Sequence, residues 1–271
     1  MLERPKKQMP AKKKSRVARG GVRHSKEVSA LLKKLATAHR ILEMEGHGDM
    51  TLGHVSVRDP DGRGFWCKRK ALGMGEMVAE ADFTLQDFDG NKLAGDGDVH
   101  NEWPIHSEIL RVRADLNSVG HTHPFYGCVF SATSETIRPV ALEGGYFWPG
   151  VPHDKSTAEL VNTKPLGVAL ATALGGAFAV FMKNHGVTFC GASIEHCMMM
   201  GIFLERACKA QLLIASTGYR WDYPTEAEMK ARAPQTFHSA MIGRSWDYYC
   251  RKLRWLESLS AIGAEGTYRI V

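Results

Sequence analysis

The sequence of 271 residues has no apolar stretch of the roughly 18 residues that a membrane-spanning helix needs. No apolar run of about 7–15 residues follows the basic N-terminus, so the pattern of a secretory signal is absent as well. Neither G-x-G-x-x-G after a strand pattern nor G-K-[ST] occurs, and both are signatures of nucleotide-binding folds. We therefore expect a cytoplasmic protein without a membrane partner.

Disulfide bonds are not indicated either. The six cysteines are scattered, with no C-x-x-C pair and no short framework. A chain of this length can bury roughly 70–75% of its unfolded surface, so it does not need cross-links to hold a core. We expect reduced thiols.

The positive charge of the chain, formally +6, is concentrated at one end. Residues 1–20 contain eight basic residues and one acid, which leaves 27 basic and 28 acidic residues in 21–271. Two prolines and few apolar residues predict that residues 1–24 form a basic, disordered tail. The near-neutral remainder gives no reason to expect a specific nucleic-acid partner.

Hydrophobic periodicity predicts one α/β domain over residues 25–271, with a helical C-terminal segment. An apolar stripe from Val28 to Leu42, capped by Ser25, indicates a first helix that ends near Gly46. Alternating runs bounded by turn residues indicate short strands. Further helices are predicted at about 101–112, 124–132, 156–173, 193–216, 225–232 and 236–261, and strands at about 54–59, 64–68, 83–87, 116–123 and 177–182.

Three of the twelve histidines stand where a predicted strand ends. His121 and His123 are two residues apart, so on an extended backbone their side chains share one face, about 6.6 Å apart. Alone, this H-x-H pair also suits a structural role. His185 follows the buried strand at 177–182, and we expect Gly186 to permit a tight turn there. Three neutral imidazoles leave open positions on a divalent ion, which is the pattern of a catalytic metal site.

Such a site also needs a proton carrier, and Glu102 is the candidate. It lies near the start of the helix that precedes the H-x-H strand. The helix dipole would lower its pKa and burial would raise it. A helix-start acid that merely faces the dipole is the alternative.

The motifs together resemble the class II aldolase/adducin family. They are E-W at a helix start, then H-x-H-P, then N-H-G after an apolar strand. The G-H-V-S-V-R segment at 53–58 and the D-x-D-G turn at 87–90 extend the resemblance, which runs from about Ser25 to at least Tyr219. It implies a three-layer α/β/α sandwich around a mainly antiparallel central sheet.

The resemblance also implies roles for individual residues. His121, His123 and His185 would ligate one divalent metal ion per subunit, and Glu102 would be the acid/base residue. Zn²⁺ or Mn²⁺ suits three imidazoles, and so do Fe²⁺ and Co²⁺. Family members are commonly homotetramers with active sites at subunit interfaces, where a neighbour's tyrosine takes part. The candidates for that tyrosine are Tyr146, Tyr248 and Tyr249.

The chain departs from the sugar-phosphate aldolases of the family where they hold phosphate. Their G-N-x-S segment reads G-H-V-S here, their Ser-Ser pair reads H-N, and the region of their Thr-Gly turn reads C-K-R-K. Imidazoles and cations suit carboxylates, which an arginine can bind in bidentate fashion. The residues predicted to bind a small carboxylate substrate are His54, Ser56, Lys68, Arg69, His100 and Asn101.

These departures resemble the branch of the family that decarboxylates hydroxylated aromatic dicarboxylates, such as dihydroxyphthalates. A metal-dependent decarboxylase is therefore predicted. One alternative is a class II metal aldolase acting on a non-phosphorylated hydroxy-keto acid. The other is a non-catalytic, adducin-like interaction domain. Four further histidines are expected behind the site or on the surface, namely His47, His106, His153 and His196.

Overall fold

The computed structural model describes residues 25–263. The predicted basic tail, residues 1–24, and the end of the predicted domain, residues 264–271, lie outside the described residues. The helices are α1 Lys26–Leu42, α2 Trp103–Val112, α3 Phe125–Ser131, α4 Lys164–Leu174, α5 Ile194–Ser216, α6 Glu226–Thr236 and α7 Ser239–Gly263. The strands are β1 His54–Arg58, β2 Phe65–Lys68, β3 Phe83–Gln86, β4 Lys92–Ala94, β5 Ser118–Thr122, β6 His153–Asp154, β7 Ala179–Met182 and β8 Gly186–Gly191.

The eight described strands form one sheet in the order β4-β3-β2-β1-β5-β8-β7-β6. Every neighbouring pair is antiparallel except β6 and β7, which are parallel. The predicted mainly antiparallel sheet is confirmed.

Helices cover both faces of this sheet. On one face α1, α3 and α5 pack on the apolar side chains of the central strands, and α7 packs outside α1 and α5. On the other face lie α2 and α4. The arrangement is the predicted three-layer α/β/α sandwich. No helix in the described part of the chain is both long and apolar enough to cross a bilayer.

The first helix forms as its sequence predicts. The Ser25 hydroxyl accepts a hydrogen bond from the Val28 N–H at 3.2 Å, which satisfies one of the free donors at the helix start. The apolar stripe faces the sheet and is buried. The helix widens over Glu43–His47 and stops where Gly46 adopts a φ of 86°.

One of the predicted helices needs correction. The helix predicted at 156–173 begins only at Lys164, because local side chains take the preceding N–H groups. Asp154 accepts from the Ser156 N–H, and Thr157 accepts from the Glu159 N–H. In addition, the strands β4, β6 and β8 lie outside the predicted strands. The two terminal glycines of β8 obscure its short buried run.

Candidate metal and catalytic site

The predicted metal ligands meet at one end of the sheet. β1 begins at His54, which pairs in register with His121 near the end of its antiparallel neighbour β5. On the other side of β5, β8 begins one residue after His185. Antiparallel pairing therefore brings residues from three distant parts of the chain to the same edge.

The three imidazoles form a compact cluster. One ring nitrogen from each of His121, His123 and His185 lies within 4.8 Å of the others. The Nε2 atoms of His121 and His123 are 3.1 Å apart. His121 is fully buried, and the other two rings are partly exposed. Burial lowers the pKa of His121 well below its usual value and that of His185 to about 4, so both rings are neutral near pH 7.

The outer ring nitrogens of two of these histidines have partners behind the cluster. His121 Nδ1 donates to the Val187 carbonyl at 3.0 Å, and His123 Nδ1 lies 2.9 Å from Asp49 Oδ2. Both Nε2 atoms are thereby directed inward, towards each other. Their separation of 3.1 Å is close to the roughly 3.3 Å expected between two nitrogens bound to one tetrahedral Zn²⁺. The donor set and its geometry fit a divalent cation.

The turn before β8 works differently from the prediction. Asn184, with a φ of 52°, takes the left-handed conformation, whereas Gly186 does not. A Cβ atom at Gly186 would lie 2.6 Å from the Thr122 carbonyl oxygen and 2.7 Å from Cδ2 of His123. Gly186 is therefore needed because the H-x-H segment passes so close to it.

Glu102 lies beside this cluster, as predicted. Its Oε2 is 3.7 Å from Nε2 of His121, and its Oε1 is 4.0 Å from Nε2 of His185. Glu102 occupies the N-cap position of α2 without capping the helix, and its Oε1 instead accepts from the Val161 N–H at 3.2 Å. Burial raises the pKa of this carboxyl, and the Val161 hydrogen bond partly offsets that rise.

A chain of buried polar side chains approaches Glu102 from the α2 side of the sheet. His54 Nε2 is 3.8 Å from Glu102 Oε2. Behind it, His54 Nδ1 is 2.6 Å from His106 Nε2, and His106 Nδ1 is 2.7 Å from Ser56 Oγ. All three of these residues are completely buried. Burial lowers the pKa of His54 well below its usual value and that of His106 to about 3, which keeps both imidazoles neutral.

His100 and Lys68 flank this chain. The His100 ring lies against the His54 ring, with centroids 3.7 Å apart. The Lys68 ammonium donates to the carbonyls of Thr51 and Leu72, which uses two of its three N–H bonds. Burial lowers the pKa of Lys68 to about 8, so it is still mainly charged at pH 7.

The remaining predicted binding residues are more exposed. Lys70 donates to Asn101 Oδ1 at 3.2 Å, directly before Glu102 in sequence. The Arg69 guanidinium is 3.8 Å from Asp82, and its side chain is about one-third exposed. Arg69, Lys70 and Asn101 therefore offer one guanidinium, one ammonium and one amide near the helix that carries Glu102.

The three candidate tyrosines lie on the face of the sheet opposite the histidine cluster. Tyr146 stacks on Phe203 and donates to the Thr236 carbonyl at 3.3 Å. Tyr249 is buried beside Tyr248, and burial raises its pKa to about 12. Tyr248 is about half exposed. The described chain brings none of them into contact with the histidine cluster.

The match to known proteins agrees with this geometry. The Class II Aldolase and Adducin N-terminal domain matches residues 33–212, which is most of the chain. The chain belongs to this family. The matched residues include the whole histidine cluster and Glu102. They also include the hydrogen-bonded side chains of His54, His106 and Ser56.

The sequence identity to individual relatives is 30% or less in the following examples. The chain is 30% identical to 3,4-dihydroxyphthalate decarboxylase of Arthrobacter keyseri over 196 residues, covering 68% of this chain and 78% of the relative. It is 28% identical to the meiotically up-regulated gene 14 protein of Schizosaccharomyces pombe over 191 residues, covering 69% and 73%. The structure of L-fuculose 1-phosphate aldolase from Glaciozyma antarctica superposes with a TM-score of 0.75 at 24% identity, covering 86% and 91%, and shows the same fold.

Two further residues hold the site in place, and neither is marked for this role by a motif in the sequence. Asp49 lies in the loop after α1, and nothing in its local sequence links it to His123, 74 residues further on. His106 is one of the four histidines expected behind the site or on the surface, and the structure places it behind His54. A helical spacing of four residues from Glu102 would have put it on the same side of α2.

Proposed function

We propose that this protein is a metal-dependent carbon–carbon lyase, and specifically a decarboxylase of a hydroxylated aromatic mono- or dicarboxylate. The observation that carries the proposal is the pair of facing Nε2 atoms of His121 and His123, 3.1 Å apart beside the buried carboxyl of Glu102. The similarity to 3,4-dihydroxyphthalate decarboxylases of several bacteria supports this choice of reaction.

His121, His123 and His185 would hold one divalent ion per subunit, with Zn²⁺ or Mn²⁺ favoured and Fe²⁺ or Co²⁺ also suited to imidazoles. Three neutral ligands leave the full positive charge on such an ion, which supplies an electron sink for the electrons left on a ring when carbon dioxide departs.

Glu102 would move the proton. Burial raises its pKa, which favours the protonated, proton-donating form relative to an exposed glutamate. The carbon–carboxylate bond breaks, carbon dioxide leaves, and the ring carbon takes the proton from Glu102. The Val161 N–H keeps Oε1 in place, with Oε2 3.7 Å from Nε2 of His121 and Oε1 4.0 Å from Nε2 of His185.

Arg69 and His100 would orient carboxylate groups, together with Asn101 at the start of α2. Arg69 can accept a carboxylate in bidentate fashion because Asp82 lies 3.8 Å away and does not occupy the whole fork. Lys68 would contribute positive charge without binding the carboxylate directly, because its ammonium already donates to two carbonyls.

We also propose a homotetramer with the sites at subunit interfaces. Apolar side chains near the histidine cluster are exposed in the single chain, including Met50 at 77% and Phe125 at 71%. Burying them against a neighbour would be favourable. Of the candidates Tyr146, Tyr248 and Tyr249, Tyr248 would serve a neighbouring site in this arrangement, because it is about half exposed whereas Tyr249 is buried and Tyr146 packs on Phe203 of its own chain. Light scattering on the purified protein tests the subunit number.

One assay tests the reaction. The metal-loaded protein is incubated with a panel of hydroxy-aromatic acids and non-phosphorylated hydroxy-keto acids, and carbon dioxide and new carbonyl groups are measured together. Carbon dioxide release from hydroxy-aromatic acids supports the decarboxylase. Carbonyl formation without carbon dioxide would identify an aldolase instead. Purified protein without stoichiometric metal and without either product would point to an adducin-like interaction domain.

A further inference from the structure

The Ser56–His106–His54 chain ends on a buried atom with no partner. His54 Nε2 is inaccessible to solvent, and no hydrogen-bond partner for it lies among residues 25–263. The nearest carboxylate oxygen, Glu102 Oε2, is 3.8 Å away, beyond hydrogen-bond range. An unsatisfied buried nitrogen costs stability, so its retention at the site calls for a ligand that satisfies it.

We assign the direction of the hydrogen bonds along this chain from its inner end. The Ser56 hydroxyl donates to the Val119 carbonyl at 3.3 Å, so its oxygen is free to accept the proton on Nδ1 of His106, 2.7 Å away. A neutral imidazole carries one N–H, which leaves Nε2 of His106 as an acceptor.

The same assignment gives the tautomer of His54. Its Nδ1, 2.6 Å from Nε2 of His106, then carries the proton of that hydrogen bond. His54 Nε2 therefore holds a lone pair, directed to the side of Glu102 and His121. The atom that faces the site is a hydrogen-bond acceptor, which suits a donor and does not suit a carboxylate oxygen.

We propose that His54 Nε2 accepts a hydrogen bond from a hydroxyl group of the substrate, and that His106 is the positioning residue that keeps His54 in the accepting tautomer. This inference rests on the proposed function and refines it. The assignment of His54 changes from a carboxylate-binding residue to a hydroxyl-recognising one. A substrate that lacks the hydroxyl would leave the same buried lone pair unsatisfied, so the site would discriminate against it.

The first test uses metal-free protein and no substrate. In ¹⁵N spectra of histidine-labelled protein, the His54 signals, assigned by their loss in His54→Leu, are expected to show a protonated Nδ1 and an unprotonated Nε2. His106→Gln can place an amide oxygen near the position of Nε2 and is expected to retain this tautomer. In His106→Leu, the tautomer of His54 should no longer be fixed. A protonated Nε2 in the parent protein would overturn the proposal, whatever the variants do.

The second test measures binding of 2-hydroxybenzoate and 2-methoxybenzoate to the metal-loaded protein by calorimetry. The ratio of their dissociation constants is expected to fall about tenfold in His54→Leu and in His106→Leu, and by less than about twofold in His106→Gln. Any part of the preference for 2-hydroxybenzoate that comes from the metal should persist in all variants, so it does not contribute to the change in the ratio. An unchanged ratio in His54→Leu would overturn the proposal. If the tautomer and the preference are as expected but no carbon dioxide is released, the proposed reaction fails while the hydroxyl site stands.

Discussion

Asp49 Oδ2 lies 2.9 Å from Nδ1 of His123, across 74 residues of sequence. A carboxylate behind a histidine fixes the ring orientation and its tautomer, and makes the inward nitrogen a better metal ligand. The loop after α1 thereby supports the histidine cluster without reaching it directly.

We expect Asp49→Ala to weaken metal affinity by about 10–100-fold, because His123 loses the acceptor that orients it. Metal content after dialysis against graded chelator concentrations measures this. Asp61→Ala, which removes an exposed carboxylate paired with Arg63, is the control and should retain the parent affinity. Parent-like affinity in Asp49→Ala would show that His123 needs no partner.

We expect Glu102→Gln to lower turnover by about 10²–10⁴-fold while metal stays bound, because the amide cannot exchange the proton. Steady-state rates and metal content are measured on the same samples. Glu159→Gln changes an exposed carboxylate in the loop that contacts Glu102, and should leave turnover unchanged. A loss of only a few-fold in Glu102→Gln would remove Glu102 from the proton step.

We expect Gly186→Ala to reduce both metal affinity and turnover. The added Cβ would meet the Thr122 backbone at 2.6 Å and the His123 ring at 2.7 Å, so the H-x-H segment must shift. Gly176→Ala is the matched control, since a Cβ there meets nothing within 4 Å. Calorimetric titration with Zn²⁺ compares the two variants, and equal affinities would contradict the proposed crowding.

The metal-free protein should lose stability as the pH falls below about 6.5. Burial lowers the pKa of His39, His47 and His106 from 6.5 to about 3. Between these values the unfolded chain binds protons that the native state does not, so the stabilisation is complete above pH 6.5 and declines on acidification. Each histidine contributes a slope of about 1.4 kcal/mol per pH unit.

Urea unfolding followed by circular dichroism at several pH values between 4 and 7 measures this slope. His39 is the best residue to change because it lies on α1, where its Nε2 accepts the Val55 N–H and its Nδ1 donates to the Leu35 carbonyl. His39→Gln should lower the slope by about 1.4 kcal/mol per pH unit, because one fewer proton is taken up on unfolding. A free energy of unfolding that does not change with pH would rule out neutral buried histidines.

Local patterns predicted the parts of the site that depend on one element. The two-residue spacing of His121 and His123 places both on one side of β5, and the capped apolar stripe of α1 needed only sequence periodicity. The family resemblance supplied the three-layer architecture, which the structure and the family match confirm.

Contacts between elements were harder to predict. The N–H groups at 156, 159 and 161 are taken by side chains, which prevents the helix that the composition of 156–163 suggested. The Asp49–His123 and His54–His106 pairs depend on how a loop and a helix pack on the sheet. Neither pair has a periodic signal in the sequence.

The long separations in sequence between partners at the site have a consequence for the order of folding. The hydrogen bonds that orient the cluster join residues 66 and 74 positions apart, and the one that holds Glu102 spans 59. Closing such loops is entropically expensive, so we expect these contacts to form only once β1, β5 and β8 have paired. Metal uptake during refolding is then expected to report completion of the native sheet.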